Sequence, residues 1–208
     1  MPFVDFFRSC FLLATLLVAN TAFASDTMVL LIDMQNSCLE QADSKKKDKL
    51  IEKQLELIRE GKKRGFFFAV VKIGVAIERS ELALDSRIQS ALVDYEHQYN
   101  IYKNKASLFD DSEARYRFLT FVELLKTKKI IVAGVHGSAC VYHSVRDLLA
   151  MELGIQVLTS PDLVGDFILD NQLYPDNLWF KKLLANQNFT SSADLDTLLA
   201  SLLCESSL

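Results

Sequence analysis

The sequence predicts an α/β protein of three αβα layers, with a mostly parallel, Rossmann-like sheet of about six strands. Short apolar runs rich in β-branched residues, such as Met28 to Ile32 and Ile130 to Ala133, read as strands buried on both faces. Amphipathic stretches of helical period lie between them. The two kinds of segment alternate strictly, which favours a parallel sheet covered by helices on both sides. In such a sheet the ligand site lies outside the carboxyl ends of the strands.

Met28-Val-Leu-Leu-Ile-Asp33-Met34 is the first strand. Ser44 is expected to cap a helix running to about Lys63, with Leu50, Ile51, Leu55 and Ile58 inward and Gly61 and Gly65 bracketing its end. Phe66 to Ile73 is the second strand, and a polar helical stretch spans Ser80 to Val93. Asn100 to Lys103 is a short third strand. Ser112 to Thr127 is helical, with Leu119, Val122 and Leu125 inward. The strand at Ile130 feeds through a small-residue turn, Gly134 to Ala139, into a helix over about Ser138 to Leu153. Gly154 suits a C-cap, and Ile155 to Thr159 is a fifth strand. A helical remainder (about Leu163 to Ala185), a short strand at Asn188 to Thr190 and a helix over about Ala193 to Leu203 complete the pattern.

At 208 residues the chain suits one domain with a substantial core. Half of its residues are hydrophobic, Gly and Pro number 7 and 3, and no segment is of low complexity, which describes an ordered protein. Net charge is −4 with no arginine-rich stripe, which argues against a nucleic-acid partner. The basic run Lys45 to Lys49 reads as a solvated helix face.

Residues 1–24 read as a signal peptide. Arg8 precedes the apolar run Phe11 to Ala19, and Ala22-Phe23-Ala24 places small residues where a signal peptidase reads, so cleavage is expected between Ala24 and Ser25. The run falls short of the roughly 20 residues needed to span a bilayer. The expected mature protein, residues 25–208, is periplasmic or secreted, with no stable membrane insertion. It keeps Cys38, Cys140 and Cys204, an odd number that leaves at least one thiol unpaired within the chain.

Three strand ends point at one crevice: the first at Asp33, the third at Lys103, and the turn after the fourth at Cys140. A thiol near a helix N-terminus tends to ionise, and the thiolate is the nucleophile. A carboxylate can accept the thiol proton, and a cation favours the thiolate. Taken singly, Asp33 reads equally as a turn residue, Lys103 as a surface lysine and Cys140 as a small buried hydrophobe. Their joint placement favours a catalytic set.

Leu30-Leu-Ile-Asp33-Met-Gln35-Asn36, Lys103-Asn-Lys-Ala-Ser107-Leu-Phe109 and Ala133-Gly-Val-His-Gly-Ser-Ala-Cys140-Val141 resemble, in order and spacing, three segments of the isochorismatase-like cysteine hydrolases, the family that includes nicotinamidase-related amidohydrolases. The resemblance implies an Asp33–Lys103–Cys140 triad, with Lys103 preferred over Lys105 because it stands six residues before Phe109. It implies a Val135–His136 cis peptide, an oxyanion hole from the N–H groups of His136 and Cys140, and Gln35, Cys38 and Val135 as substrate-binding positions. It further implies acyl transfer through a Cys140 thioester on a small amide-type metabolite, and a homo-oligomer.

Nicotinamidases carry an Asp-x-His…His metal cluster after the second strand, where this chain has Lys72-Ile-Gly-Val-Ala-Ile-Glu78. With 3 histidines in all, the expectation is no metal and no cofactor. His143 lies one helical turn after Cys140, so a Cys–His dyad is conceivable, although a helix-surface or supporting histidine fits better. Trp179 and Phe180 read as core or interface. Two other functions stay open: a non-catalytic binding protein on the same fold, and a hydrolase of a non-amide small molecule.

Overall fold

The computed structural model describes residues 25–40, 42–74, 82–166 and 178–205. The signal-peptide reading, the exit of the second strand after Gly74, and the Trp179, Phe180 and Cys204 side chains lie outside the described residues.

β1 (Thr27–Ile32) consists of Thr27 followed by apolar residues and is buried throughout, which suits it to the middle of a parallel sheet. β2 (Phe67–Ile73) and β4 (Lys129–Val135) flank it, β3 (Gln98–Lys103) lies beyond β2, and β5 (Gln156–Thr159) and β7 (Phe189–Ser191) extend the other side. A two-residue β6 (Val164–Gly165) pairs with the end of β4. The order is β3-β2-β1-β4-β5-β7, and every pairing is parallel.

Alternation along β1 divides the core. Met28, Leu30 and Ile32 face α4 (Ser112–Leu124) and α5 (Tyr142–Ala150), where Ala114, Phe118, Val145 and Leu148 meet them. Val29 and Leu31 face α2 (Ser44–Lys63), α3 (Ser86–Leu92) and α7 (Leu195–Glu205), through Ile51, Ile58, Ile88 and Leu198. The three predicted layers are present. Short helices α1 (Asn36–Leu39) and α6 (Leu178–Leu183) complete the described elements.

Several boundaries differ from the sequence reading, each for a local reason. Asp43, not Ser44, caps α2: its carboxylate accepts the N–H groups of Lys45 and Lys46, and a negative charge suits that end of the helix. α3 begins only at Ser86, because Leu84 is held in an antiparallel bridge to Gln35 and Asp85 supplies the cap. The start of the helix expected over about Leu163 to Ala185 is instead a 3-10 turn (Pro161–Leu163) followed by β6; residues 167–177 lie outside the described residues, and Leu178–Leu183 is helical. The backbone at Gly134 and Val135 runs past the end of the β4–β5 ladder and takes Val164 and Gly165 as partners instead. The helix expected from Ser138 starts at Tyr142, after a π-helical turn (Gly137–Val141).

Gly134 lets β4 close against β1. Its φ is +156°, and a Cβ there would stand 2.4 Å from the Ile32 carbonyl oxygen, a backbone atom that cannot move aside cheaply. Gly134→Ala is expected to destabilise the fold by about 1–3 kcal/mol. A urea titration should show a lowered midpoint with an unchanged slope.

Candidate active site

The sheet register brings the candidate residues together. Ile32 lies beside Val71 and Gly134, and Ile73 lies beside Lys103, so the carboxyl ends of four adjacent strands form one edge. Asp33 leaves β1 there, and Lys103 ends β3 two strands away. With strands about 4.8 Å apart, the long lysine stem is what lets its ammonium pass the end of β2 and reach the aspartate. Lys103 Nζ lies 2.9 Å from Asp33 Oδ2, and both side chains are 0% exposed.

The ammonium's other two donors go to the carbonyls of Lys105 (3.1 Å) and Ala106 (3.2 Å), so all three are matched. That need explains the loop after β3. Its curl is fixed by Ser107, whose Oγ accepts the Phe109 N–H, and by Ser144 of α5, whose Oγ accepts the Leu108 N–H at 3.0 Å. Ser144 was not singled out from the sequence. Its only signal was a polar residue on the apolar face of an amphipathic helix.

Asp33 takes a left-handed conformation (φ 57°), and so does His136 (φ 60°). Among the described residues, the other non-glycine residues with positive φ, Asp94, Lys126 and Glu152, follow helix ends, where that conformation is ordinary. Asp33 and His136 instead follow strands, where such strain concentrates at functional positions. Asp33 Oδ1 is buried without a hydrogen-bond partner, as is His136 Nδ1. Burial holds the His136 imidazole below its ordinary pKa and so keeps it neutral.

The Val135–His136 peptide is trans, contrary to the expected cis bond; the left-handed turn at His136 redirects the chain instead. The His136 carbonyl accepts the N–H groups of Ala139 (3.0 Å) and Val141 (3.2 Å), on either side of Cys140. The Ser138 N–H goes elsewhere, to Asp166 Oδ2 at 3.0 Å.

Cys140 is 7% exposed and sits inside the π turn, not at the first turn of an α-helix. Its thiol does not titrate low, as its place in the sequence suggested. Burial and the Asp33 carboxylate push it up to about 12, against a weaker opposing effect of Lys103. Cys38, on α1, is pushed up to about 11 by burial and by Asp33, so both cysteines lie in the field of the same ion pair; both are free.

Of the positions expected to bind substrate, two are committed to the fold. Gln35 is 1% exposed, its Nε2 donates to the carbonyls of Ile73 and Leu82, and its Oε1 accepts the Ile73 N–H at 2.7 Å. It braces the end of β1 to the end of β2. Val135 is 0% exposed in the core on the α2 side and pairs with Gly165. His143 packs edge-on against Tyr142, and Cys140 has Asp33 as its neighbouring base. A cavity of about 310 Å³ beside β3 is lined by residues that include Gly74, Tyr102, Asn104, Asp111 and Arg117, with none of Asp33, Lys103 or Cys140 among them. Its charges are engaged internally: Arg117 pairs with Glu113, and Asp111 caps α4. Among the described residues, no three His, Cys, Asp or Glu stand close enough to hold a metal.

A three-layer αβα fold around a parallel sheet of this order is the fold of isochorismatase-like hydrolases. The Isochorismatase domain model matches residues 27–174, and the chain belongs to that family. Similar solved structures include an isochorismatase-like hydrolase from Alkaliphilus metalliredigens, with TM-score 0.65 and 13% identity over 86% of this chain and 99% of that one. A nicotinamidase from Bacillus subtilis aligns with TM-score 0.63 and 12% identity over 81% and 99%. An N-carbamoylsarcosine amidase from Thermoplasma acidophilum aligns with TM-score 0.62 and 13% identity over 81% and 96%. No curated protein sequence matches significantly.

Two outcomes follow from the buried ion pair and thiols. Lys103→Met leaves Asp33 buried without its cation and should cost about 3–5 kcal/mol of stability, measured by denaturant unfolding. The thiols titrate near 9 when unfolded, and at about 11 and about 12 in the fold. Above the unfolded value the unfolded chain binds fewer protons than the folded one, so stability should fall as pH rises through that window. Between neutral and strongly alkaline pH the native protein should lose more stability than Cys140→Ala, which keeps only the Cys38 contribution; unfolding midpoints of the two at both pH values check this.

Proposed function

We propose that this chain is an exported cysteine hydrolase that opens an amide-type C–N bond of a small metabolite through a thioester on Cys140. The observation that carries the reading is the pairing of a buried, protonated thiol with a carboxylate whose Oδ1 has no other partner. In the free protein the thiol keeps its proton. As Sγ attacks the carbonyl carbon, Asp33 takes that proton, so the nucleophile forms only when substrate is in place. Backbone N–H groups of the turn, at His136 and Cys140, meet the oxyanion that develops. Collapse of the tetrahedral adduct expels the amine, with Asp33 delivering the proton. Water then attacks the thioester, again with Asp33 as base, releasing the acid and restoring the thiol. Lys103 holds Asp33 in place and balances its charge throughout.

The amidase and nicotinamidase among the similar structures support the choice of a C–N bond, at the level of shared fold. The joint presence of all three groups in one buried cluster argues against a non-catalytic binding protein. Export rests on the Arg8, Phe11 to Ala19 and Ala22-Phe23-Ala24 pattern. N-terminal sequencing of the protein recovered from its source should begin at Ser25.

The chemistry is tested by incubating the protein with a library of small amides and reading Cys140 by mass spectrometry. An acyl adduct is expected, absent in Cys140→Ala, and its mass identifies the acid half of the substrate. Asp33→Asn should slow acylation by roughly 10²–10⁴-fold. A folded protein that acquires no adduct from any amide would overturn the reading.

A further inference from the structure

We propose that Asp166 is a positioning residue for this chemistry: its carboxylate clamps Ser138 and so holds the nucleophile turn in the register that presents the oxyanion donors. The inference rests on the reading of Cys140 as a nucleophile. β6 delivers Asp166 to the turn. Its two residues pair with the last two of β4, Gly134 beside Val164 and Val135 beside Gly165, and the next residue of the chain is Asp166. Both carboxylate oxygens then engage one residue of the turn. Oδ2 accepts the Ser138 N–H at 3.0 Å, and Oδ1 accepts the Ser138 hydroxyl at 3.1 Å. Asp166 is also close enough to His136 to act on its imidazole, against the effect of burial.

The turn needs such an anchor. A π-helical turn is a rare, wide register, and π-turns persist mostly where function holds them. It is entered through His136 in a left-handed conformation, which itself costs about 1–3 kcal/mol in a non-glycine residue. Its His136 carbonyl accepts the N–H groups of Ala139 and Val141, the Tyr142 N–H turns back to the Gly137 and Ala139 carbonyls, and the Ser138 N–H is directed to Asp166. The Ser138 N–H would otherwise compete for the oxyanion or pull the turn toward ordinary α-helical bonding. Charge-assisted bonds to a carboxylate are the stronger kind, and two of them on one residue fix its orientation as well as its position. The clamp therefore removes Ser138 from the donor set and leaves the N–H groups at His136 and Cys140 to define the hole.

The test separates the oxyanion hole from the nucleophile. Isotopically labelled acetaldehyde adds reversibly to a reactive thiol: the C–S bond forms, the carbonyl π pair moves to oxygen, and the thiol proton passes through Asp33 to that oxygen. Nothing is oxidised or reduced, and the adduct is read by NMR. Iodoacetamide alkylates the same sulfur by displacement, with no oxyanion. Asp166→Ala should weaken hemithioacetal formation by about tenfold or more, while alkylation at a common alkaline pH stays within about threefold of the native rate. Asp166→Asn, whose Oδ1 can still accept the Ser138 N–H, should restore adduct affinity to within about threefold. If Asp166→Ala does not fold, Ser138→Ala carries the test, with a loss of about threefold or more expected.

Native-like aldehyde affinity in Asp166→Ala, equal losses in the Ala and Asn variants, or alkylation falling in step with adduct formation would each overturn the clamp. A folded native protein that forms no hemithioacetal at Cys140 would overturn the nucleophile reading, and the clamp with it.

Discussion

The ion pair between Lys103 and Asp33, 2.9 Å long and closed to solvent on both sides, sets the terms for the whole carboxyl edge of the sheet. Two charges removed from water cost several kcal/mol each unless nearly every donor and acceptor on them is matched. Lys103 meets that demand with one carboxylate and two carbonyls, and the carbonyls come from its own loop. The loop must then curl tightly, which is why a serine at 107 and a second at 144 stand beneath it. Asp33 is matched on Oδ2 only. Its Oδ1 is the acceptor of the pair that no other donor occupies, and the Cys140 thiol stands within its influence.

A thiol in this setting works differently from one activated in advance. Helix-end electrostatics alone would lower its pKa, but desolvation and a neighbouring carboxylate act the other way and win. In the mechanism proposed, a proton transfer coupled to attack replaces a standing thiolate. The arrangement keeps the resting sulfur unreactive toward adventitious electrophiles and oxidants, since those select for thiolate. Cys38 shares the same field and is likewise protonated at neutral pH. The cluster is thus a set of neutral and paired groups.

Strain is distributed to match. Among the described residues, the two left-handed non-glycine residues that do not terminate helices, Asp33 and His136, mark the exits of the two adjacent strands β1 and β4. Gly134 allows those strands to close to a distance that no side chain would permit. β6 then covers the end of β4 and brings Asp166 to the turn. The site is built from the backbone outward: close strands first, sharp exits second, side chains last.

Much of this was legible in the amino-acid sequence. The apolar runs of β1, β2 and β4 and the amphipathic period of α2 announce themselves, because burial on two faces or on one imposes a pattern of its own. Asp33, Lys103 and Cys140 were legible as strand-end residues for the same reason, since a parallel sheet gathers such ends on one edge. What the sequence did not disclose depends on partners far along the chain. Gln35 reads as a ligand-binding amide until Ile73 and Leu82 are seen to occupy it. Val164 and Gly165 read as helical until β4 offers them a ladder. Ser138 and Asp166, 28 residues apart, show no pattern that would pair them. The thiol's protonation state turned on the balance between a helix end and a buried carboxylate, and that balance exists only once the fold has excluded water from both. Local periodicity determined the elements and their order; desolvation and long-range hydrogen bonding, which only tertiary structure creates, decided what the residues at their ends can do.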